Sequence, residues 1–318
     1  MRYVLRADAS DLTGSGHVMR LSAIAEELIA RDEEVSFVGS ISNLSWVEDQ
    51  IAELGFSEIC GNPKEFVSMS DSDVLILDSY QIPLDDPFID HSRWLKIIAV
   101  VDEQTPNYGC ELRIHPGLDT SWVRDSTIPI LAGPLFIPIR KSLSKKFAQV
   151  DRNNHVIKVA VVAGGSDPHN LVSEVAKILG KFSEKFEVVL FSNYIFEEKL
   201  DSRFKQIEIG KGLDEVIQSF DLVLTTASTS SLEFLACGLC VGVACAVDNQ
   251  IHNYNTLGLL GAAAQIGFRN SLNKWELDIE MIHSLITSST VRQTLKAKSH
   301  GLVDFKGAQR IVDAIKTL

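Results

Sequence analysis

A histidine follows a glycine-containing turn near the start of the chain, in the segment LRADASDLTGSGHVMRLSAIAEEL at residues 5–28. Gly14 and Gly16 permit backbone conformations that a side chain would block. Apolar residues then recur at helical spacing, at Val18, Leu21, Ile24, Ala25 and Leu28. His17 is therefore predicted in the first turn of a helix, where free N–H groups attract an anionic ligand. A reactive histidine at this position would face that ligand.

The two glycines alone are weak evidence, because a strand–turn–helix unit with two glycines is common in α/β proteins. The Rossmann fingerprint needs a third glycine at the spacing G-x-G-x-x-G, and a Walker loop ends in Lys-Ser or Lys-Thr. Here Gly16 is followed by His17, Val18, Met19 and Arg20. Both a dinucleotide site and a Walker loop are therefore disfavoured.

Length and charge indicate a two-domain enzyme that works on small molecules. The chain has 318 residues, roughly two domains at about 150 residues each. A net charge of −12 and a pI near 5.1 argue against a nucleic-acid partner or an anionic membrane surface. No apolar run approaches the length of about 20 residues that a membrane span needs, and the chain begins directly with a strand pattern, so we expect a cytoplasmic location. The oligomeric state is not indicated.

The five cysteines are odd in number and irregularly spaced, which argues against a disulfide framework. Cys237 and Cys240 have C-x-x-C spacing, but they fall where an apolar helix pattern ends and an apolar strand pattern begins. We therefore interpret them as reduced core residues and not as a metal or redox pair.

Two halves of alternating apolar runs and helical patterns predict an α/β fold with two Rossmann-like parallel-sheet domains. Predicted strands lie at residues 35–38, 74–77, 97–101, 157–162, 188–191, 221–224 and 239–243. The best linker candidates are the polar segments 140–146 and 151–155. We predict an N-terminal domain at residues 1–145, a second domain at 156–302, and a C-terminal helix at 303–318 that packs back toward the first domain. Asp167 before Pro168 predicts a helix start, and Gly180 its end.

Polar side chains follow the ends of six predicted strands. They are His17, residues 78–80, Asp102-Glu103, residues 164–167, residues 228–233 and residues 248–250. Open α/β sheets bind ligands at the carboxyl ends of their strands. Two such domains are expected to form a cleft between those ends, lined by these residues.

The string TTASTSSLEFLACGLCVGVA at residues 225–244 predicts a site for a diphosphate. Ser228, Thr229, Ser230 and Ser231 crowd the start of a helix, where hydroxyl and N–H groups hold phosphate oxygens. Glu233, one turn further, is suited to accept two hydrogen bonds from ribose hydroxyls. The alternative is a capping box, because Ser230 and Glu233 lie three residues apart. From this string alone the two interpretations are equally supported.

Together these motifs resemble the UDP-sugar hydrolases of the pseudaminic acid pathway, which are related in fold to the GT-B glycosyltransferases. The matching motifs in the first half are RADAS and GSGHVMR within residues 6–20, LDSY at 77–80, VVDE at 100–103, and AGP at 132–134 before an aromatic residue and Arg140. Those in the second half are AGGSDPHN at 163–170, TASTSSLE, DNQ at 248–250 and VDFKGAQRIVDAI at 303–315. The resemblance spans nearly the whole chain.

The resemblance implies hydrolysis of a UDP-linked diacetamido trideoxy hexose to UDP and the free sugar, with water in the place of an acceptor. His17 is the natural general base; the alternative is a neutral histidine that only binds phosphate or a sugar hydroxyl. The runner-up functions are a GT-B glycosyltransferase that uses a UDP-sugar donor, a hydrolase for a related nucleotide sugar, and a nucleotide-sugar-binding protein without turnover.

The remaining assignments concern substrate binding. Arg6 and Asp8 are expected to position the sugar or His17, with a structural ion pair as the alternative. Tyr80 and Asp102 are sugar-contact candidates. The other predicted substrate-binding residues are Gly14, Gly16, Gly165, Ser166, Asn193 at the uracil, and Asn249 and Gln250 at the sugar or pyrophosphate. No cofactor and no metal are expected, because no metal-ligand spacing is present.

Overall fold

The structure is a computed structural model, and it describes residues 1–66, 72–80, 82–102, 105–121, 123, 128–144, 156–196, 200–210 and 212–318. Glu103 and the predicted linker residues 145, 146 and 151–155 lie outside the described residues. The chain divides into two compact units. Unit 1 comprises Met1–Lys141 and Asp304–Leu318, and unit 2 comprises Ser142–Val303.

Unit 1 is built on a seven-stranded parallel sheet. Its strands and helices up to residue 141 are β1 Arg2–Arg6, β2 Ala9–Ser10, α1 Gly16–Ile29, β3 Glu34–Val38, β4 Ile41–Ser42, α2 Ser45–Glu53, β5 Glu58–Cys60, β6 Val74–Asp78, β7 Lys96–Val100, β8 Leu112–His115 and β9 Ile130–Ala132. The strand order is β5-β3-β1-β6-β7-β8-β9, while β2 and β4 pair separately. The order reverses between β1 and β6, which is where such sheets bind ligands.

Helix α1 covers one face of this sheet with the apolar stripe that its sequence predicts. The stripe residues Val18, Leu21, Ile24, Ala25 and Leu28 are all fully buried. They pack in one cluster with Tyr3 and Leu5 of β1, because alternate residues of a strand face the same side of the sheet. Burial of this stripe holds the first turn of α1 at the end of β1.

Unit 2 carries a second seven-stranded sheet, in the order β12-β11-β10-β13-β14-β15-β16. Its elements are β10 Ile157–Val162, α3 Leu171–Leu179, β11 Phe186–Phe191, β12 Phe204–Ile207, α4 Leu213–Val216, β13 Leu222–Thr226, α5 Thr229–Ala236, β14 Cys240–Cys245, α6 Ile251–Leu260, β15 Ala264–Arg269, β16 Trp275–Leu277, α7 Ile279–Thr287 and α8 Ser289–Ser299. All neighbours are parallel except β15 and β16. Here the order reverses between β10 and β13.

The predicted helix start at Pro168 is wrong, because α3 begins three residues later, at Leu171. Asn170 at the N-cap adopts a left-handed conformation, with φ 57°, and its N–H donates to the carbonyl of Asp167 at 3.2 Å. This turn separates Pro168 from the helix. Gly180 does follow the last residue of α3, as predicted. Its backbone conformation is right-handed, so the helix does not end in the left-handed cap for which glycine is favoured.

The C-terminal helix α9, Gly307–Thr317, belongs to unit 1 and packs against α1. Gly307 allows the closest approach, since an added Cβ would lie 2.0 Å from the carbonyl oxygen of Ile137. Arg31 of the α1 region reaches Asp313 of α9 at 2.7 Å. The last residues of the chain therefore complete the core of unit 1.

Within the described residues, none of the helices combines the length and the apolar character that a membrane crossing requires. All five cysteines lie within the described residues, and none of them forms a disulfide.

Candidate functional site

His17 is the second residue of α1, directly after the glycine turn. Gly14 has φ 79°, a left-handed conformation that favours glycine, and its N–H donates to the carbonyl of Ser10 at 2.8 Å. Gly16 is the first helical residue, and Ser15 at the N-cap makes no side-chain capping bond. The turn thus brings the imidazole to the carboxyl end of β1.

Asp78 is the last residue of β6, and its carboxylate contacts the imidazole of His17. The Nδ1 atom of His17 lies 2.5 Å from the Oδ1 atom of Asp78. Arg20, one helical turn after His17, donates to Oδ2 through Nε and to Oδ1 through Nη2, both at 2.8 Å. The carboxylate is only 1% exposed. A buried carboxylate therefore joins a histidine and an arginine at the point where the strand order reverses.

The charges of this cluster compensate one another. Burial alone raises the pKa of Asp78, but Arg20 and then His17 outweigh it and hold that pKa below its usual range. Burial alone lowers the pKa of Arg20, and the Asp78 carboxylate outweighs it in turn and raises that pKa. Asp78 is consequently ionised and Arg20 protonated near neutral pH.

Tyr80 packs edge-on against the imidazole of His17, with ring centroids 4.6 Å apart and an interplanar angle of 79°. Burial raises the pKa of its hydroxyl, and a hydrogen bond to the Asp102 side chain adds to that rise, while Arg20 opposes it. The predicted sugar-contact candidates Tyr80 and Asp102 therefore lie together with His17 in one network.

Arg6 and Asp8 form an ion pair, with 2.6 Å between Nη1 of Arg6 and Oδ1 of Asp8. A structural ion pair was the alternative to a sugar-positioning role in the sequence analysis. The side chain of Arg6 is buried, with its guanidinium over the ring of Phe88 at 5.7 Å. Asp8 also accepts a hydrogen bond from the N–H of Ser40. These bonds give the pair a structural role in unit 1, and any contact with a sugar stays a prediction.

In unit 2, the loop after β10 and the start of α5 lie side by side. A Cβ added at Gly164, which has φ 109°, would lie 3.7 Å from the hydroxyl oxygen of Ser228 and 3.8 Å from that of Ser230. Thr226, at the end of β13, places its hydroxyl 3.1 Å from the carbonyl of Ala163 and 3.0 Å from the hydroxyl of Ser228. The structure thus brings the polar segment 164–167 next to the predicted diphosphate motif at residues 228–231.

Asp167 occupies the N-terminus of α3 with its own carboxylate. Its two oxygens accept from the N–H groups of Leu171 at 2.8 Å and Val172 at 2.9 Å. Burial raises the pKa of Asp167, and these two hydrogen bonds only partly oppose that rise. Because α3 already holds an internal carboxylate, the start of α5 is the better place in unit 2 for an external anion.

Glu233 does not form the predicted capping box. Ser228, not Ser230, is the N-cap of α5, and it makes no side-chain capping bond. The position for a reciprocal glutamate would be the third helical residue, Ser231, whose hydroxyl donates to the carbonyl of Ser228 at 2.7 Å. Glu233 lies further along the helix and is buried, with 5% exposure. The capping box between Ser230 and Glu233 is therefore not formed, and the ribose contact of Glu233 stays a prediction.

The remaining predicted residues follow other strands of unit 2. Asn193, after β11, accepts a hydrogen bond from the N–H of Ile209 at 3.0 Å. Gln250, before α6, accepts from the N–H of Ala246 at 2.9 Å, and Asn249 beside it is exposed. Gly165 and Ser166 lie in the loop after β10, and Thr229 is the first residue of α5.

Two residues of the histidine cluster were given no role of their own from the sequence, namely Asp78, which lies within the predicted polar segment 78–80, and Arg20. Both left a signal in the sequence. Asp78 ends an apolar strand pattern, and Arg20 shares a helix face with His17 because it lies three residues further on. Neither signal identifies the partner, since His17 and Asp78 are 61 residues apart.

Among the described residues, no group of three or more histidine, cysteine, aspartate or glutamate side chains is arranged to hold a metal ion. A cavity of about 690 Å³ lies in unit 2 beside α6 and β15, lined in part by Tyr254, Gly258, Phe268 and Met281. None of the predicted site residues is part of its lining.

Comparison with known proteins identifies the fold but no family. No protein-family model matches the chain. An uncharacterized protein of Methanocaldococcus jannaschii is 25% identical over an alignment of 276 residues, gaps included, that covers 76% of this chain and 55% of that protein. The chain thus spans about half the length of the curated relative that it matches.

Solved structures are similar over the whole chain. Spinosyn rhamnosyltransferase SpnG, complexed with thymidine diphosphate, has a TM-score of 0.64 at 11% identity, over 99% of this chain and 100% of its own. MurG of Acinetobacter baumannii has a TM-score of 0.62 at 13% identity, over 100% of each chain. A UDP-N-acetylglucosamine 2-epimerase has a TM-score of 0.62 at 13% identity, over 99% and 96%. The fold is that of the GT-B glycosyltransferases, which confirms the predicted fold class.

Proposed function

We propose that this protein is a nucleotide-sugar hydrolase that releases UDP and a free diacetamido trideoxy hexose. The observation that carries the proposal is the contact of His17 with the buried carboxylate of Asp78, at the switch point of a sheet in a GT-B fold. The resemblance of the motifs to the UDP-sugar hydrolases of the pseudaminic acid pathway supports the choice of sugar. The similar structures include enzymes whose names refer to glycosyl transfer and to a UDP-sugar.

We assign the nucleotide to unit 2. The hydroxyl groups of Ser228 and Ser230, together with the start of α5, would hold the diphosphate, and the loop at Gly164 leaves room for its oxygens. Glu233 would accept hydrogen bonds from the ribose. This assignment uses helix and hydroxyl groups to offset the diphosphate charge, so it calls for no cation.

We assign proton transfer to His17. A water molecule attacks the anomeric carbon, a new carbon–oxygen bond forms, and the bond from that carbon to the diphosphate oxygen breaks. The electron pair of the broken bond leaves with UDP, and the proton of the water passes to the imidazole. UDP is a stable anion, so the enzyme needs mainly to position the water and accept its proton. Tyr80, against the imidazole, would contact the sugar.

Transfer of the sugar to an acceptor hydroxyl is the second candidate, because the similar structures include glycosyltransferases. Both functions share donor binding and a base, and they differ in what the base deprotonates. Epimerisation is a third outcome, in view of the similar 2-epimerase. The products separate these three reactions.

The test is incubation of the protein with the UDP-linked diacetamido trideoxy hexose in isotopically labelled water without any acceptor. We expect UDP and free sugar in equal amounts, with the label on the anomeric oxygen of the sugar. The His17→Asn variant serves as the inactive control. Slow release that an added acceptor accelerates would indicate a transferase, and an isomerised nucleotide sugar would indicate an epimerase. Label in the UDP would exclude attack at the anomeric carbon.

A further inference from the structure

Two side chains of unit 1, Arg20 and Asp78, contact the Nδ1 atom of His17. His17 and Arg20 lie on one face of α1, and Asp78 ends β6 in the sheet beneath it. Both oxygens of the carboxylate are engaged by Arg20, and one of them also contacts Nδ1 of the histidine. Since Asp78 is buried, water does not compete for these contacts.

An ionised carboxylate can only accept hydrogen bonds. The 2.5 Å separation of Oδ1 from Nδ1 therefore places a hydrogen on Nδ1, because two lone pairs at that distance would repel. A protonated Asp78 would relax this requirement, but the bidentate contact with Arg20 favours the ionised form. The guanidinium cannot accept a hydrogen bond itself, and so it cannot replace the carboxylate as the partner of Nδ1.

We propose that Asp78 is a positioning residue that holds His17 as the tautomer protonated on Nδ1, with Arg20 keeping the carboxylate ionised. The Nε2 atom of neutral His17 is then the nitrogen with a free lone pair. Tyr80 restricts the remaining freedom of the ring through its edge-on contact. The inference rests on the proposed function in one respect, because a base at Nε2 is what the hydrolysis needs.

This arrangement explains why a carboxylate is buried beside a histidine in unit 1. The Nη2 atom of Arg20 also lies 3.0 Å from Nδ1, beyond the 2.5 Å contact with Asp78, and without Asp78 this donor would be left as the polar neighbour of Nδ1. Arg20 is a donor, so Nδ1 would become the acceptor and the hydrogen would move to Nε2. The histidine would then present a donor where water has to be deprotonated. Asp78 thus determines whether the same ring acts as a base or as a donor.

The test uses NMR of the histidine ring nitrogens in the full-length, isotopically labelled protein. At a pH where His17 is neutral, we expect Nδ1 to be protonated and Nε2 not. This measurement needs no variant and no substrate. A wild-type His17 protonated on Nε2 would overturn the proposal, even if the protein hydrolyses UDP-sugars.

The variant Asp78→Asn then tests the causal role of the carboxylate. An amide of the same shape can donate as well as accept, so we expect the Nε2-protonated tautomer to become populated. If the proposed hydrolysis holds, kcat falls by about 100-fold or more, the range of general base catalysis, while UDP affinity stays the same. An unchanged tautomer in the folded variant would show that Asp78 does not position His17.

Asp73→Asn is the matched control. Asp73 is a second buried aspartate, immediately before β6, and it pairs with Arg2 at the opposite end of the strand. Its substitution removes a buried ion pair of similar kind without touching His17. We expect lower stability but an unchanged His17 tautomer and unchanged kcat.

The tautomer and the proposed function can fail separately. If His17 is protonated on Nδ1 but the protein hydrolyses no UDP-sugar, the proposed function is rejected and the role of Asp78 stands.

Discussion

Gly164 lies against Ser228, such that a Cβ added at Gly164 would sit 3.7 Å from the serine hydroxyl oxygen. Gly164 follows β10 and Ser228 precedes α5, and the two strands before them are neighbours in the sheet. The loop after β10 therefore lies beside the start of α5 at the switch point of unit 2. His17 and Asp78 lie at the switch point of the sheet in unit 1.

Gly164→Ala is expected to weaken UDP binding by about tenfold. The residue has φ 109°, a conformation in which a side chain adds strain on the order of 1 to 2 kcal/mol, so the loop would shift away from Ser228. Gly238→Ala is the control, because Gly238 has φ 73° in open space at the end of α5. Calorimetry should show weaker UDP binding for Gly164→Ala alone; equal affinities would remove the loop from the nucleotide site.

Glu233→Ala is expected to weaken UDP binding by about 1.5 to 3 kcal/mol, the range for hydrogen bonds to charged groups. The proposed ribose contact is the reason. Glu280→Ala, an exposed glutamate in the first turn of α7, should bind UDP like the wild type. The melting temperature of each variant has to be measured too, since Glu233 is buried. Unchanged UDP binding in Glu233→Ala would assign the glutamate to the structure of unit 2.

His17→Ala and His17→Asn are expected to lower turnover by about 100-fold or more while UDP affinity changes little, because the base acts on water and not on the nucleotide. His300→Asn, at an exposed histidine after α8, should retain full turnover. Near-normal turnover in the His17 variants would exclude this residue from the mechanism.

Activity is expected to survive excess EDTA. The start of α5 and the loop at Gly164 would offset the diphosphate charge without a cation. The measurement compares turnover before and after chelation, and after addition of magnesium or manganese. If chelation abolishes turnover and a metal restores it, a cation neutralises the diphosphate, and Asp102 and Glu103 become the first candidates for its ligands.

The contribution of Asp78 to stability should depend on pH in one direction. Arg20 and His17 hold its pKa in the folded protein below the ordinary value of 3.8, so its contribution is fully present above that value and is lost as pH falls below it. The urea midpoints of the wild type and Asp78→Asn should therefore differ at pH values above 3.8 and converge as pH falls below that value. A difference that does not shrink below pH 3.8 would contradict a stabilising, ionised Asp78.

Local sequence patterns were sufficient for the fold class. Apolar runs predicted β3, β6, β10 and β13 at nearly their observed positions, because a strand buried on both faces needs a continuous apolar run. The stripe on α1 likewise placed His17 in the first helical turn. The short edge strands β9 and β16 were not predicted, since their few residues are half-exposed and their pairing with a neighbour defines them.

Tertiary structure alone decided which residues meet. Sequence motifs singled out His17 and the strand ending at Asp78, but only the parallel pairing of β1 with β6 brings them to one end of the sheet. The start of α3 was predicted wrongly for a local reason, because Asp167 bonds to the N–H groups of Leu171 and Val172 beyond Asn170, which adopts the left-handed conformation that asparagine tolerates. A residue's own type and spacing determine what it can donate or accept. The partner that sets the proton on His17 comes from a strand far along the chain.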